Sequence, residues 1–304
     1  MGQGPSVSQE NSRIEYAVGS RKGSNSKVEN AHAAILDLDG SSSTSFFGVY
    51  DGHAGSNVAL YCAKRLHSEL VNDEDYKTNL NDAMRRAFSR MDEQMQGNDD
   101  WRALANPPHA GLKLLGCINA APCVKGTPYL ERSTACVVVI RGNEIVVGNV
   151  GNTRCVLSRG QEAIVLSTDH TPDNVGEHVR ILDSDGAVVS VRTTYLIGDF
   201  HFKSNEGLLP AEQIVSCTPD IHTEEITDDT KYLLIASTNF WDTISCQSAV
   251  NYLRHYSGSY SVPSICDMLL NQIKNPVDNV TLMLIYFKPS ARLPPTAPPA
   301  PMVG

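Results

Sequence analysis

The stretch Phe46-Phe47-Gly48-Val49-Tyr50-Asp51-Gly52-His53-Ala54-Gly55 joins a short apolar run to a polar, glycine-rich segment. The run is aromatic and apolar and ends at a common turn dipeptide, so it predicts a buried strand. From residue 56 onward apolar residues recur every three or four positions, the period of a helix with one buried face. They are Ala59, Cys62, Ala63, Leu66 and Leu70. We therefore expect a carboxylate, Asp51, at the end of a strand and close to the start of a helix.

Short apolar runs outnumber helical periods along the rest of the chain. They predict strands at residues 15–20, 31–38, 134–141, 144–150, 153–158, 214–217, 232–237 and 280–287. Helices are predicted at residues 75–95, 173–182, 247–255 and 262–274. Because most strands follow one another instead of alternating with helices, we expect an α+β fold, with antiparallel sheets packed on each other and helices outside.

Composition divides the chain into three segments. Residues 1–13 form a polar lead that is predicted to be flexible, residues 14–288 form one domain, and residues 289–304 form a proline-rich tail that is predicted to be disordered. Residues 97–130 lack a sustained period and contain several prolines, which indicates a long connection. One folded domain with two polar ends is expected.

The overall charge and the cysteines limit the partners and the compartment. A net charge of −9 without a block of Lys or Arg argues against a nucleic-acid partner. The 8 cysteines form no C-x-x-C pair, as expected for reduced thiols in an intracellular protein. No stretch reaches the roughly 20 apolar residues that a membrane span requires. We predict an intracellular protein in the cytoplasm, with the nucleus and the membrane periphery as alternatives.

The first residues match the N-myristoylation pattern, with Gly2 as the acceptor after removal of Met1. The alternative is a frayed polar terminus without a lipid. A single acyl chain anchors a protein only marginally, so myristoylated Gly2 would provide a weak membrane tether.

Three acidic residues are predicted to lie where strands begin or end: Asp51, Asp242 and Asp278. Carboxylates collected at the rim of a sheet can hold Mg²⁺ or Mn²⁺, which prefer oxygen ligands. Asp-Gly is also a common turn dipeptide, so position alone leaves a structural role open for Asp51.

The segment at 46–55 resembles the F-F-x-V-Y-D-G-H-G-G signature of the metal-dependent protein phosphatases of type 2C. Further segments resemble motifs of this family in the same order. They are Ser133-Thr134-Ala135 (G-S-T-A), Asn149-Val150-Gly151-Asn152-Thr153-Arg154 (N-x-G-D-S-R), Asp169-His170-Thr171-Pro172 (D-H-K-P) and Asp278-Asn279-Val280-Thr281 (D-N-x-T). The resemblance covers residues 13–288, is closest to plant members, and implies an α-β-β-α sandwich.

The resemblance also implies roles for residues of the site. Asp51 would bridge two metal ions, with the Gly52 carbonyl and the Asp278 carboxylate as further ligands. Glu29 would hold a metal-bound water, and His53 would be the general acid that protonates the leaving oxygen.

Four positions depart from the family. Thr238 stands where the A-S-D-G-x-W-D motif has a metal-binding Asp, and Asn152 stands where N-x-G-D-S-R has an Asp associated with an additional metal. Asn30 replaces the Asp of M-E-D, and Asn25 replaces an upstream Arg that grips phosphate. Neutral side chains are poorer ligands for divalent cations than carboxylates, so weak binding of Mg²⁺ or Mn²⁺, or none, is expected.

These departures favour a pseudophosphatase that binds phosphoproteins, kinases or other signalling proteins without dephosphorylating them. The alternative is a weakly active Mg²⁺- or Mn²⁺-dependent protein serine/threonine phosphatase. A third hypothesis is an adaptor that is tethered to a membrane through Gly2.

Overall fold

The computed structural model describes residues 6–24, 29–40, 43–97, 100–105, 131–171, 193–205 and 207–292. Two antiparallel sheets form the centre of the domain. The six-stranded sheet has the order β1-β2-β14-β13-β9-β10. Its strands are β1 (Val7–Glu10), β2 (Ile14–Arg21), β9 (Arg154–Arg159), β10 (Glu162–Val165), β13 (Thr230–Ala236) and β14 (Val280–Phe287).

The second sheet has five strands in the order β12-β8-β7-β4-β3. They are β3 (Ala31–Ile35), β4 (Thr44–Tyr50), β7 (Ala135–Arg141), β8 (Glu144–Val150) and β12 (Asp220–Glu225). A small sheet of order β11-β6-β5 follows the end of β4. It comprises β5 (Gly52–His53), β6 (Arg132–Ser133) and β11 (Ile197–Gly198).

Helices cover the outer faces of both large sheets. The helices are α1 (Asn57–Val71), α2 (Leu80–Gly97), α3 (Asp100–Ala105), α4 (Thr238–Trp241), α5 (Cys246–Tyr256) and α6 (Val262–Leu270). Three buried clusters hold the layers together: one joins α1 and α2 to the five-stranded sheet, one lies between the sheets, and one joins α5 and α6 to the six-stranded sheet. This α-β-β-α arrangement confirms the predicted α+β fold class.

Strong periodicity predicts most elements correctly, and the errors fall at helix ends, at one short apolar run and at a polar edge strand. Helix α2 begins at Leu80 instead of residue 75, and α6 ends at Leu270 instead of residue 274. The strand predicted at 214–217 is wrong, because this segment forms only an isolated bridge between Tyr195 and Ser216. The strand of this region is β12, which is an edge strand with mostly exposed residues and therefore lacks an apolar signal. The helix predicted at 173–182 lies outside the described residues.

The polar lead contains the strand β1, which pairs with β2, so the prediction of a wholly flexible lead was wrong for this part. Its four side chains are exposed, which hid the strand from apolar patterning. Buried Arg13 follows and donates hydrogen bonds to the carbonyls of Ala291 at 2.9 Å and Ser43 at 2.8 Å, and also to Gly142 O. The guanidinium therefore joins the start of the domain to its last described residues.

Candidate functional site

Strand ends from both sheets meet around the carboxylate of Asp51. Asp51 follows β4 and is 5% exposed, whereas Asp278 precedes β14 and is exposed. Burial raises the pKa of Asp51 to about 6. The negative charges of Asp278 and Glu29 act in the same direction, while His53 and a hydrogen bond from the Thr238 backbone oppose the shift. The structure therefore brings together five of the residues that the sequence analysis singled out.

Gly52 lies against the backbone of Glu29. A Cβ atom at Gly52 would be 2.3 Å from Glu29 O and 3.1 Å from Gly55 O, which no side chain can tolerate. Glycine at this position therefore allows the segment that carries Glu29 to approach the strand end that carries Asp51.

Thr238 and Asn152 contact each other directly. The Thr238 hydroxyl donates a hydrogen bond to Asn152 Oδ1 at 2.8 Å. Thr238 opens α4 after β13, and Asn152 lies in the turn between β8 and β9. These two neutral side chains occupy the positions where the family motifs have carboxylates, and the hydrogen bond links their two loops.

Asn30 lies beside the start of β14. Its Nδ2 donates to Thr281 Oγ1 at 3.4 Å, and its buried Oδ1 has no hydrogen-bond partner. Because an uncompensated buried carbonyl oxygen is costly, this oxygen of Asn30 is expected to lower the stability of the fold. Gly2, the predicted lipid acceptor, and Asn25, which replaces the phosphate-gripping Arg of the family, lie outside the described residues.

His53 is held by the backbone next to Asp51. Its Nδ1 faces Asp51 O at 3.0 Å, so Nδ1–H donates and the other ring nitrogen, Nε2, points away from this carbonyl. The His53 side chain is exposed. The exposed imidazole at the rim can therefore contact a bound molecule.

Asp242 lies one helical turn after Thr238. It follows α4, is exposed, and its backbone N–H donates to Thr238 O at 3.0 Å. That Asp242 joins Asp51 and Asp278 at one rim stays a prediction.

Sequence reasoning did not assign to the site two charged residues: Arg132, which lies opposite His53, and its ion-pair partner Asp199. Arg132 pairs with His53 across β5 and β6, and its NH1 donates to Asp199 Oδ2 at 3.3 Å. Asp199 is 1% exposed and burial raises its pKa, while the charge of Arg132 opposes this shift. One signal was available: Ser133-Thr134-Ala135 matches G-S-T-A, and Arg132 stands where that motif has its Gly.

Within the described ranges, no group of three or more His, Cys, Asp or Glu side chains is arranged to hold a metal ion. The six cysteines of these ranges are free thiols, and five of them are buried. No helix in this part of the chain is long and apolar enough to cross a membrane.

Comparison with known proteins identifies the class to which this fold and site belong. The sequence profile of Protein phosphatase 2C matches residues 14–276. The chain therefore belongs to the protein phosphatase 2C family, whose members generally depend on Mg²⁺ or Mn²⁺.

Its relatives include plant proteins. "Probable protein phosphatase 2C 20" of Oryza sativa subsp. japonica is 43% identical over 95% of this chain. "Probable protein phosphatase 2C 21" of the same plant is 42% identical over 94% of this chain and 87% of its own length. The chain spans 62% of the first of these proteins and 41% of another rice relative, "Probable protein phosphatase 2C 19".

Solved structures share the fold at low sequence identity. A serine-threonine phosphatase 2C from Toxoplasma gondii superposes with a TM-score of 0.73, covering 94% of this chain and 98% of its own, at 16% identity. A C. elegans sex determining protein superposes with a TM-score of 0.70 over 92% of this chain and 66% of its own, at 19% identity. These similarities confirm the architecture of the domain.

Proposed function

We propose that this chain is a pseudophosphatase that binds phosphoproteins, kinases or other signalling proteins and does not dephosphorylate them. The observation that carries the proposal is the hydrogen bond from the Thr238 hydroxyl to Asn152 Oδ1, 2.8 Å long, at the two positions where the family motifs place carboxylates.

The chemistry of this pair supports loss of metal binding. Two ionised carboxylates at hydrogen-bond distance repel each other, so such a pair requires a cation or a shared proton. Thr238 and Asn152 are neutral, and one donates while the other accepts. The pair is satisfied without a metal ion, so the two loops have no electrostatic need for one.

The remaining oxygens do not fit a two-metal centre. Asp51, Asp278 and the Gly52 carbonyl can supply oxygen ligands to one cation. A second cation would face the Thr238 hydroxyl, which is a poorer ligand for Mg²⁺ or Mn²⁺ than a carboxylate. Asn152 weakens in the same way the position that the family motif associates with an additional metal. We infer that one ion binds weakly, and that catalysis by a two-metal centre is lost.

An alternative function has its own supporting observation. Asp51, Gly52, Glu29 and His53 remain together, and burial raises the pKa of Asp51, with the neighbouring Asp278 and Glu29 charges acting in the same direction. If these residues bind Mn²⁺, this chain would be a weakly active, metal-dependent protein serine/threonine phosphatase.

A metal-titrated assay distinguishes the two functions. We expect the wild type to release no phosphate from phosphothreonine peptides at any Mn²⁺ concentration. The double variant Thr238→Asp with Asn152→Asp should bind Mn²⁺ at least about 10–100-fold more tightly in calorimetry, since removal of even an outer partner of a metal ligand costs that much. Partial phosphatase activity should accompany the restored binding.

The matched control is Thr78→Asp with Asn79→Asp, which adds the same two charges just before α2. Both side chains are exposed, and the neighbouring Tyr76 carbonyl binds Arg141, which pairs with Thr44 at the end of β4 opposite Asp51. This control should leave Mn²⁺ binding unchanged, because its carboxylates lie far from Asp51. Saturable Mn²⁺-dependent activity of the wild type that Asp51→Asn abolishes would establish the weakly active phosphatase instead.

A further inference from the structure

We propose that Arg132 and His53 form a metal-independent subsite for the phosphate group of a phosphorylated serine or threonine side chain. This proposal rests on the proposed function, because it identifies how a protein without a two-metal centre would hold a phosphoprotein. Arg132 is a departure of this chain from the family motif, which has Gly at that position.

The small sheet places the two side chains together. β5 and β6 pair antiparallel, with His53 directly opposite Arg132 and Gly52 opposite Ser133. Side chains of directly opposed residues project from the same face, with Cβ atoms about 4.5–5.5 Å apart. A bound group can therefore contact the imidazole and the guanidinium at once.

The imidazole is aimed by its own backbone hydrogen bond. Nδ1–H donates to Asp51 O at 3.0 Å, so the ring is fixed and Nε2 points away from the carbonyl. His53 is exposed, so the edge of the ring that carries Nε2 is open to a bound phosphate group.

The guanidinium is fixed from the protein interior. NH1 of Arg132 donates to Asp199 Oδ2 at 3.3 Å, and the side chain of Asp199 is 1% exposed while that of Arg132 is 36% exposed. Asp199 Oδ1 is buried without a hydrogen-bond partner. One N–H of five is used in this pair, so the planar fork is oriented while part of its surface reaches solvent.

The loop that carries Asp199 is itself held in place. Asp92 on α2 accepts a hydrogen bond from Gly198 N at 2.8 Å and forms an ion pair with Lys203. The lysine also donates to Leu196 O at 2.6 Å. These buried contacts keep the Asp199 carboxylate, and therefore the Arg132 guanidinium, in one position.

The local charges favour binding of a phosphate group beside Arg132 over binding beside the neighbouring carboxylates. A phosphate monoester is close to a dianion at neutral pH. Asp51, Asp278 and Glu29 would repel it when two metal ions are not bound, whereas Arg132 lies on the small sheet and presents a permanent positive charge. Asp199 offsets part of that charge, which predicts modest affinity.

The test is an NMR titration of the full chain in EDTA. N-acetyl-phosphothreonine amide is the ligand, and N-acetyl-threonine amide is the unphosphorylated comparison. We expect saturable shifts of the His53 and Arg132 resonances with the phosphorylated ligand alone. Arg132→Gln should weaken binding about 10–100-fold, the loss expected for charge-assisted hydrogen bonds.

The matched control is Arg65→Gln on α1, which removes an equal charge. Arg65 is 41% exposed and pairs with a single carboxylate, that of Glu69, at 3.2 Å. The Arg65→Gln variant should bind N-acetyl-phosphothreonine amide with the affinity of the wild type. An Arg132→Gln variant with wild-type affinity, or an equal loss in Arg65→Gln, would overturn the proposal.

Two further results keep the test valid if Arg132→Gln folds poorly. Arg132→Lys retains the charge without the fork and should bind with intermediate affinity. Wild-type shifts confined to residues remote from His53 and Arg132 would also overturn the subsite. Because EDTA excludes metal-dependent turnover, failure here leaves the Mn²⁺ assay as the separate test of the proposed function.

Discussion

Ala54, next to His53, has a backbone conformation that is unfavourable for a residue other than glycine. Its φ is 61°, a left-handed conformation that costs an L-residue with a Cβ atom roughly 1–2 kcal/mol. The family signature has Gly at this position, which adopts the conformation without strain. Ala54 therefore introduces backbone strain into the turn that follows His53.

Ala54→Gly should increase the free energy of unfolding. We expect a gain of about 0.5–1 kcal/mol, because relief of the left-handed penalty exceeds the added entropy of Gly in the unfolded chain. Ala54 is exposed, so little packing is lost. Urea denaturation followed by circular dichroism measures the change.

The same substitution at Ala63 is the control, with the opposite sign. Ala63 lies within α1, where Gly costs roughly 0.5–1 kcal/mol relative to Ala. If Ala54→Gly lowers the free energy of unfolding as Ala63→Gly does, the proposed backbone strain at Ala54 is wrong.

At the scale of elements, the link between α2 and the segment after β11 depends on a buried ion pair. The side chains of Asp92 and Lys203 are 8% and 6% exposed. Gly198 N and Leu196 O complete their hydrogen bonds. Such a pair specifies geometry, and removal of one member leaves the other charge buried without a partner.

Asp92→Asn should destabilise the protein by about 3–5 kcal/mol, the usual cost of an uncompensated buried charge. Asp82→Asn is the control on the same helix, where the pair with Arg85 is exposed and worth at most about 1 kcal/mol. Thermal unfolding of the two variants compares the costs. If Asp92→Asn and Asp82→Asn lower the stability equally and by little, the Lys203 ammonium is solvated when residue 92 is neutral, and the predicted cost is wrong.

At the scale of the whole molecule, stability depends on pH through the carboxylate that joins α1 to α2. Hydrogen bonds from Arg86 hold the pKa of Asp73 well below its usual range, and Arg90 adds to the shift. The Asp73 side chain is 2% exposed, whereas those of Arg86 and Arg90 are 41% and 30% exposed. A depressed folded-state pKa stabilises the protein above the unfolded pKa, and the contribution declines as pH falls.

Asp73→Asn should therefore reduce the free energy of unfolding by about 1 kcal/mol at pH 7, a value at the lower end because both arginines reach solvent. The difference from the wild type should shrink from about pH 5 downward, since Asp73 becomes protonated in the unfolded chain. Urea midpoints at pH 7, 5 and 3 give the profile. A difference independent of pH would assign the loss to packing instead of charge.

Local chemistry determined the layers of this fold. The apolar runs of β4, β7, β8 and β14 and the helical period of α1 predicted these elements, because each depends on side chains close together in the chain. The polar edge strands β1 and β12 escaped prediction, since their backbone pairing, and not an apolar face, makes them strands.

The contacts that define the site depended on the tertiary structure. The ordered motifs predicted Asp51, Gly52, His53 and Glu29, and they identified the substitutions at residues 238 and 152. That Thr238 donates to a residue 86 positions away, and that Arg132 lies opposite His53, depends on which strands are neighbours. Sheet register brings distant residues together, and no local period encodes it.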